Sequence, residues 1–211
     1  IGAGGAGLLA GIAAARAGAR TVVFERMKRP GKKVAISGGG RCNFTNLHVS
    51  PERFVSANPH FCKSALSRYT QWDFIELVER HGIGYFEKQT VNGLSGQLFC
   101  EQSSKQIVAM LLKECTEAGV EIRTACETSE VTHSDGFHLA ASDGSFSAET
   151  LVIATGGLSI PSLGGSGVGY QLAEQFGLRL LPTAAGLLPL TITGALKETC
   201  NTLSGVSSRS T

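Results

Sequence analysis

The chain opens on small residues, not large ones. Gly2 to Ala17 mixes glycine and alanine with Leu8, Leu9 and Ile12, and Gly18 ends the run. This pattern predicts a helix over about Leu8–Ala17 after a glycine-rich turn. Thr21-Val22-Val23-Phe24 then predicts a strand that finishes at Glu25. From Arg29 to Asn46 glycine and positive charge dominate, and the segment reads as a loop. Leu66, Tyr69, Phe74, Leu77 and Val78 lie near helical spacing. They predict one amphipathic helix from about Phe61 to Arg80, closed by His81-Gly82.

Ile83–Phe86 and Gln97–Cys100 read as short strands around an Asn92-Gly93 turn. Ile107, Met110, Leu111 and Leu112 face one way in a predicted helix, Ser103–Ala118, stopped by Gly119. Val120-Glu121-Ile122 returns as a strand. Val131 and Phe137–Ala140 alternate toward Asp143-Gly144, and Ser145-Phe146-Ser147 starts back, which is a hairpin signal. Leu151-Val152-Ile153-Ala154 is an apolar run of the kind buried on both faces of a parallel sheet. It ends in Thr155-Gly156-Gly157, and a last helix runs from Gly167 to Phe176 before Gly177. The layout is α/β, with a small antiparallel meander inserted before a late sheet strand.

Composition narrows the class. Hydrophobic residues make up 42% of the 211, enough for a packed core, and the net charge is +2 with the cations scattered. Only Arg26–Lys33 is locally basic, which suits a phosphate and argues for a small-molecule substrate with no nucleic-acid partner. Ile1–Ala15 is too short to span a bilayer, so no membrane partner is expected. Six cysteines show no C-x-x-C pair, which argues against zinc and disulfides and for reduced thiols in the cytoplasm. Only Ile1 precedes Gly2, and Leu203–Thr211 has no helix stop. The expectation is a piece of a longer protein, cut at both ends.

Three glycine motifs carry the chemistry. Gly2-Ala3-Gly4-Gly5-Ala6-Gly7 spells G-x-G-x-x-G. In a dinucleotide site the first glycine makes the turn, the second admits the pyrophosphate, and the third lets helix and sheet pack closely. Phosphate oxygens then face the N–H groups at the helix N-terminus. Glu25, eighteen positions past Gly7, stands where an acid takes the ribose hydroxyls. The second motif is Ser37-Gly38-Gly39-Gly40-Arg41-Cys42-Asn43-Phe44-Thr45-Asn46. Its three glycines bare backbone N–H groups for a flat ring or phosphate, while Lys32, Lys33 and Arg41 add charge. The third is Ala154-Thr155-Gly156-Gly157, at a strand end where such sheets bind ligands. Cys42 is read as an inert buried thiol in preference to a redox-active or tethering one, and Tyr170 either faces the cofactor or packs. No catalytic residue and no metal ligand set stands out.

Taken together, these strings resemble the bacterial NAD(P)/FAD-dependent oxidoreductase flavoproteins of the aminoacetone-oxidase-like and bile-acid-reductase-like type. Gly165-Ser166-Gly167-Val168-Gly169-Tyr170 and Leu187-Leu188-Pro189-Leu190 extend the likeness over nearly the whole chain. The resemblance implies a Rossmann-like, FAD-binding, doubly wound sheet over residues 1–190, with the inserted antiparallel β-meander. Residues 191–211 would begin a substrate or cap domain, and the rest of it and a C-terminal FAD-binding segment lie outside these residues. FAD would be the cofactor, with NAD(P)H a candidate co-substrate. Gly2, Gly4, Gly5, Ala6 and Gly7 would serve the pyrophosphate, Glu25 the ribose, and Arg26 the adenine. Lys33 and Ser37, Gly38, Gly39, Gly40, Arg41, Cys42 and Asn43 would run along the pyrophosphate and flavin. Thr128 would offer backbone to the adenine, and Ala154, Thr155, Gly156 and Gly157 would close over the cofactor. Val168 departs from the family pattern, which has an acid there, and Ser166 replaces a commoner Thr. These 211 residues alone are expected not to retain stoichiometric FAD.

The leading expectation is therefore an FAD-dependent oxidoreductase moving hydride through the flavin. Its rivals are a colourless NAD(P)-only dehydrogenase and a non-catalytic flavin-binding module or redox sensor.

Overall fold

The computed structural model describes residues 1–90, 93–184 and 191–202, apart from the side chains of Leu94 and Pro161. Two compact units result, Ile1–Leu178 and Arg179–Thr211. In the second, the described residues include one helix, α7 (Ala195–Thr202), with Leu196 largely exposed. Asn92, Leu187–Leu190 and Leu203–Thr211, each singled out from the sequence, lie outside the described residues.

The first unit begins with α1 (Gly5–Arg16) and β1 (Val22–Glu25), followed by α2 (Lys32–Gly40) and β2 (Asn43–Asn46). Next come α3 (Lys63–Arg68), α4 (Gln71–Arg80), β3 (Tyr85–Thr90), β4 (Gly93–Cys100), α5 (Lys105–Glu117) and β5 (Glu121–Thr124). The meander is β6 (Thr128–His133), β7 (Phe137–Ala141) and β8 (Gly144–Ala148), and α6 (Val168–Gln175) ends the unit. β1 and β5 pair in parallel, with Val23 opposite Ile122. β2, β4 and β3 form an antiparallel sheet in that order, and β6, β7 and β8 form another. A glycine-started helix leading into a strand of a parallel pair, with a separate meander before the last helix of the unit, is the α/β arrangement that the residue pattern predicts.

The main core lies between α1, β1, α4 and α5. Leu8, Ile12, Val23, Val78, Ile107, Met110, Leu111 and Cys115 are all buried there. Gly11 lets α1 settle onto the sheet, because a Cβ there would lie 3.0 Å from Val23 Cγ2 and 3.4 Å from Val120 Cγ1. A second core joins Phe24 and Cys126 to Val131, Leu139 and Leu172, so the meander and α6 pack together at the end of β1.

Three expectations change. The helix predicted over Phe61–Arg80 is two helices. Tyr69 and Thr70 are extended, and Thr70 starts α4 with a capping box: its Oγ1 accepts from the Asp73 amide, and Asp73 Oδ2 accepts from the Thr70 amide at 2.6 Å. The loop predicted over Arg29–Asn46 contains α2 and β2. Within α2 the helical course stops at Ser37, and Gly38, Gly39 and Gly40 follow at φ +57°, +64° and +86°. The third change concerns Leu151–Ala154, which is neither a regular strand nor buried on both faces. Val152 is 50% and Ile153 38% exposed. Among the described residues its ladder bonds go to Ile1, the Ile1 amine donating to Val152 O and the Ala154 amide to Ile1 O.

Candidate functional site

A cleft of about 260 Å³ opens where the glycine turn, the end of β1, the start of α2, the entry to β6 and residues 154–168 converge. Its floor is the N-terminus of α1. Gly4 is the N-cap and offers no side chain, and no acidic residue occupies the first turn. The first intrahelical bond runs from the Leu8 amide to Gly4 O, so the amides of Gly5, Ala6 and Gly7 have no acceptor within the helix. Those N–H groups and the helix dipole make a positive end for an anion.

The three motif glycines are bare for different reasons. Gly2 sits at φ +100°, and a Cβ would lie 2.4 Å from Ala154 O. At Gly7 a Cβ would lie 1.8 Å from Gly2 O. Both are demanded by the fold. Gly4 is not: its φ is −79°, and a Cβ would meet no protein atom within 4 Å. A side chain there would project into the cleft, so the bareness of Gly4 serves whatever the cleft holds. The pyrophosphate of a dinucleotide fits that opening.

Glu25 closes the cleft at the end of β1. Its Oε2 accepts the Ala3 amide at 2.9 Å and its Oε1 the Met27 amide at 2.8 Å. The carboxylate is thus fixed by two backbone donors beside the turn, ready to receive hydroxyl donors. Opposite, Lys33 reaches across to Ser159, with Nζ 3.1 Å from Oγ, and passes close to Gly156. Arg26 lies 3.9 Å from Glu127 at the rim. Four cations (Arg26, Arg29, Lys32 and Lys33) face two carboxylates (Glu25 and Glu127) around the lining, an excess suited to a diphosphate.

Of the residues expected at the site, Gly2, Gly4, Gly5, Ala6, Glu25, Arg26, Lys33, Thr128, Ala154, Thr155 and Gly156 line this cleft. Gly7 is packed beneath it. Gly157 lies just outside, where a Cβ would stand 3.4 Å from Tyr170 Oη. The second motif goes elsewhere. Ser37, Gly38, Gly39, Gly40, Arg41, Cys42 and Asn43 are absent from the lining and form a tight turn folded against α5 and β4. The Ser104 amide donates to Gly40 O at 2.8 Å, the Cys100 amide to Arg41 O at 2.8 Å, and the Cys42 amide to Ser37 O at 2.9 Å. The three left-handed glycines and Cys42 at φ +50° give the turn its shape. It joins the cleft only through Lys32–Val34, one helical turn earlier.

The thiols near the site are poor nucleophiles. Burial raises the Cys42 thiol against a weaker opposing hydrogen bond from Ser37, and burial pushes Cys100 up to about 11. Cys126, which lines the cleft, is raised by burial and by its contact with Asp143, 2.8 Å away. Val168 lines the cleft and packs against the second core, and Ser166 also lines it. Arg29, Glu127, Leu163 and Gly164 also line the cleft. Neither a motif nor a local spacing marks Leu163 and Gly164, because the fold alone returns that segment to β1.

The chain is 51% identical to a protein named ribosomal RNA dihydrouridine synthase from Escherichia coli (strain K12) over 98% of its length. It is 46% identical over 90% of its length to the Haemophilus influenzae protein of the same name. A 3-dehydro-bile acid delta(4,6)-reductase from Clostridium scindens is 30% identical over 91% of the chain. The chain spans about half the length of these relatives, covering 50%, 48% and 46% of them. Among solved structures, glycine oxidase from Geobacillus kaustophilus superposes with a TM-score of 0.52 at 20% identity, over 85% of this chain and 57% of that one. A 3-ketosteroid-delta4-(5alpha)-dehydrogenase from Rhodococcus jostii RHA1 gives 0.52 at 18% identity, over 74% and 45%. These two likenesses carry the fold. The chain belongs to the family described as the HI0933-like protein Rossmann domain, whose model matches residues 1–210.

Proposed function

We propose that the full-length protein is an FAD-dependent reductase that saturates the C5–C6 double bond of uridine in ribosomal RNA, with NAD(P)H as the electron source, in the cytoplasm. The observation that carries the cofactor is the cleft, with Gly4 bare toward open space, three unbonded amides behind it and Glu25 pinned at its edge. The substrate class rests on the names of the relatives. Both describe the same chemistry: C5–C6 of uracil is conjugated to the C4 carbonyl, and a 3-dehydro, delta(4,6) bile acid is also an unsaturated ketone. In uridine the β carbon C6 accepts hydride and the α carbon C5 a proton. For uridine the balance is NAD(P)H plus a proton plus uridine, giving NAD(P)⁺ and dihydrouridine.

FAD, when bound, supplies the two-electron hydride chemistry. The chain's own residues bind and orient it. The amides of Gly5 and Ala6, with Lys32 and Lys33, suit the pyrophosphate oxygens. Glu25 accepts ribose hydroxyls, and Thr128 stands near Arg26 and Glu127 at the adenine end. This reading replaces the small-molecule substrate expected from scattered charge with a nucleic acid.

Two measurements test it. The purified full-length protein should be yellow, and its flavin band should bleach anaerobically with NADPH or NADH. Cells lacking the gene should lose a dihydrouridine from ribosomal RNA, detected by mass spectrometry of nuclease fragments, and regain it with the wild-type gene. A colourless protein that FAD cannot reconstitute, or unchanged ribosomal RNA, would overturn the reading.

A further inference from the structure

Outside the cleft, the exposed face of the β2-β4-β3 sheet carries an arrangement that the cofactor site does not use. β3 and β4 alternate in and out. Leu98 and Cys100 are buried, and Tyr85 packs on Phe44 with ring centroids 5.6 Å apart. Phe86 and Phe99, directly opposite each other in the antiparallel register, therefore share the other face. Their rings stack at 5.9 Å with 22° between planes, and Phe86 is 37% exposed. Each ring carries a cation. The Arg41 guanidinium lies 5.7 Å from the Phe86 centroid and Lys88 Nζ 5.9 Å from the Phe99 centroid. Neither cation has a carboxylate within ion-pair distance among the described residues. The glycine turn abuts the same surface, since a Cβ on Gly38 would lie 2.8 Å from Phe99 Cε1.

We propose that Arg41, Phe86, Phe99 and Lys88 form a stacking platform for single-stranded RNA, on which the strand bearing the target uridine is held. The inference rests on the ribosomal RNA reading above and deepens it. Nucleobases are recognised by stacking on aromatic rings and guanidinium planes, and phosphates by cations beside them. A hairpin needs a cross-strand aromatic pair only for its own stability. It does not need two exposed cations laid over the rings with no acid to neutralise them. That surplus of positive charge on an aromatic face is complementary to a polyanion with flat bases. A phosphorylated metabolite would find the charge but leave the second ring without a partner.

The test uses the full-length protein and a fluorescein-labelled 12-nucleotide oligouridylate, with binding read by fluorescence anisotropy over a range of KCl. Phe86→Ala should weaken binding about tenfold, and Phe86→Trp should restore it. Lys88→Ala should lower the slope of log K against log salt by about 0.7, the share of one phosphate contact on a single strand. The flavin absorbance of all three variants should equal that of the wild type. Undiminished oligouridylate binding by Phe86→Ala and Lys88→Ala, or no binding by the wild type, would remove the platform. Loss of flavin from Phe86→Ala would also remove it, because the ring would then belong to the cofactor site. The substrate reading fails separately. Wild-type protein that restores dihydrouridine while Phe86→Ala binds RNA normally keeps the reading and loses the platform. Wild-type protein that restores none loses the reading, whatever the anisotropy shows.

Discussion

The amide of Ala3 donates to Glu25 Oε2 at 2.9 Å across a gap of 22 residues, tying the glycine turn to the end of β1. Met27 gives its amide to the other oxygen at 2.8 Å, so both carboxylate oxygens are held by backbone. A glutamine cannot repeat this, because its NH₂ would face one of the two N–H donors. Glu25→Gln should therefore loosen the turn as well as remove a ribose acceptor. Charge-assisted hydrogen bonds contribute about 1.5–3 kcal/mol each. The expected outcome in the full-length protein is at least tenfold weaker FAD binding, read by fluorescence titration of the apoprotein, with a lowered melting temperature. FAD affinity and melting temperature both equal to wild type would contradict this role for Glu25.

Gly4 and Gly7 separate cofactor from fold. Gly4→Ala adds a methyl group to open cleft space at an ordinary φ, and its stability cost is that of an N-cap change, within about 1 kcal/mol. Its flavin content should fall sharply. Gly7→Ala drives a methyl group to 1.8 Å from Gly2 O, so the turn itself must break. Thermal unfolding and the visible spectrum of the two variants should diverge, with Gly4→Ala folded and pale and Gly7→Ala unstable. A Gly4→Ala protein with full flavin would show that the opening before Gly4 is not where the cofactor lies.

Legibility in the sequence followed the range of the interaction. The turn, α1, β1 and Glu25 form a local run whose spacing carries its own geometry. The meander was equally readable, because Phe137–Ala140 and Asp143-Gly144 set a two-residue period and a turn. The break between α3 and α4 was also written locally, as Thr70-Gln71-Trp72-Asp73, a capping-box pattern that the surrounding helical spacing concealed. Ser37–Asn43 marked itself as unusual through its glycines, yet its direction is set by Ser104 and Cys100, more than fifty residues away. The apolar run Leu151–Ala154 pairs, among the described residues, with Ile1.

The capping box makes a clean test of the two-helix arrangement. Thr70→Ala removes the acceptor for the Asp73 amide and should lower the unfolding free energy by about 1 kcal/mol, while Thr70→Ser should restore most of it. Urea unfolding followed by circular dichroism would resolve the difference. Equal stability of the alanine variant and wild type would mean that the helix runs through Thr70 in solution.

A buried carboxylate on the far side of α1 predicts a pH dependence of stability. Glu114 of α5 is 5% exposed and accepts from Arg16 at the end of α1 and from His81 just after α4, with 2.6 Å to the histidine Nε2. Burial raises its carboxyl, but the hydrogen bonds from His81 and Arg16 outweigh that and hold it below the ordinary glutamate value. A carboxyl depressed in the folded state stabilises the fold above its unfolded pKa, near 4.3. That stabilisation is lost as pH falls through the lower folded value. Glu114→Gln should cost about 3 kcal/mol at pH 7, since it leaves two donors facing a neutral amide. The gap between wild type and variant should shrink as the pH drops below about 4. Urea midpoints from pH 3 to 7 measure it directly, and a gap that stays constant over that range would mean that Glu114 titrates as a free side chain.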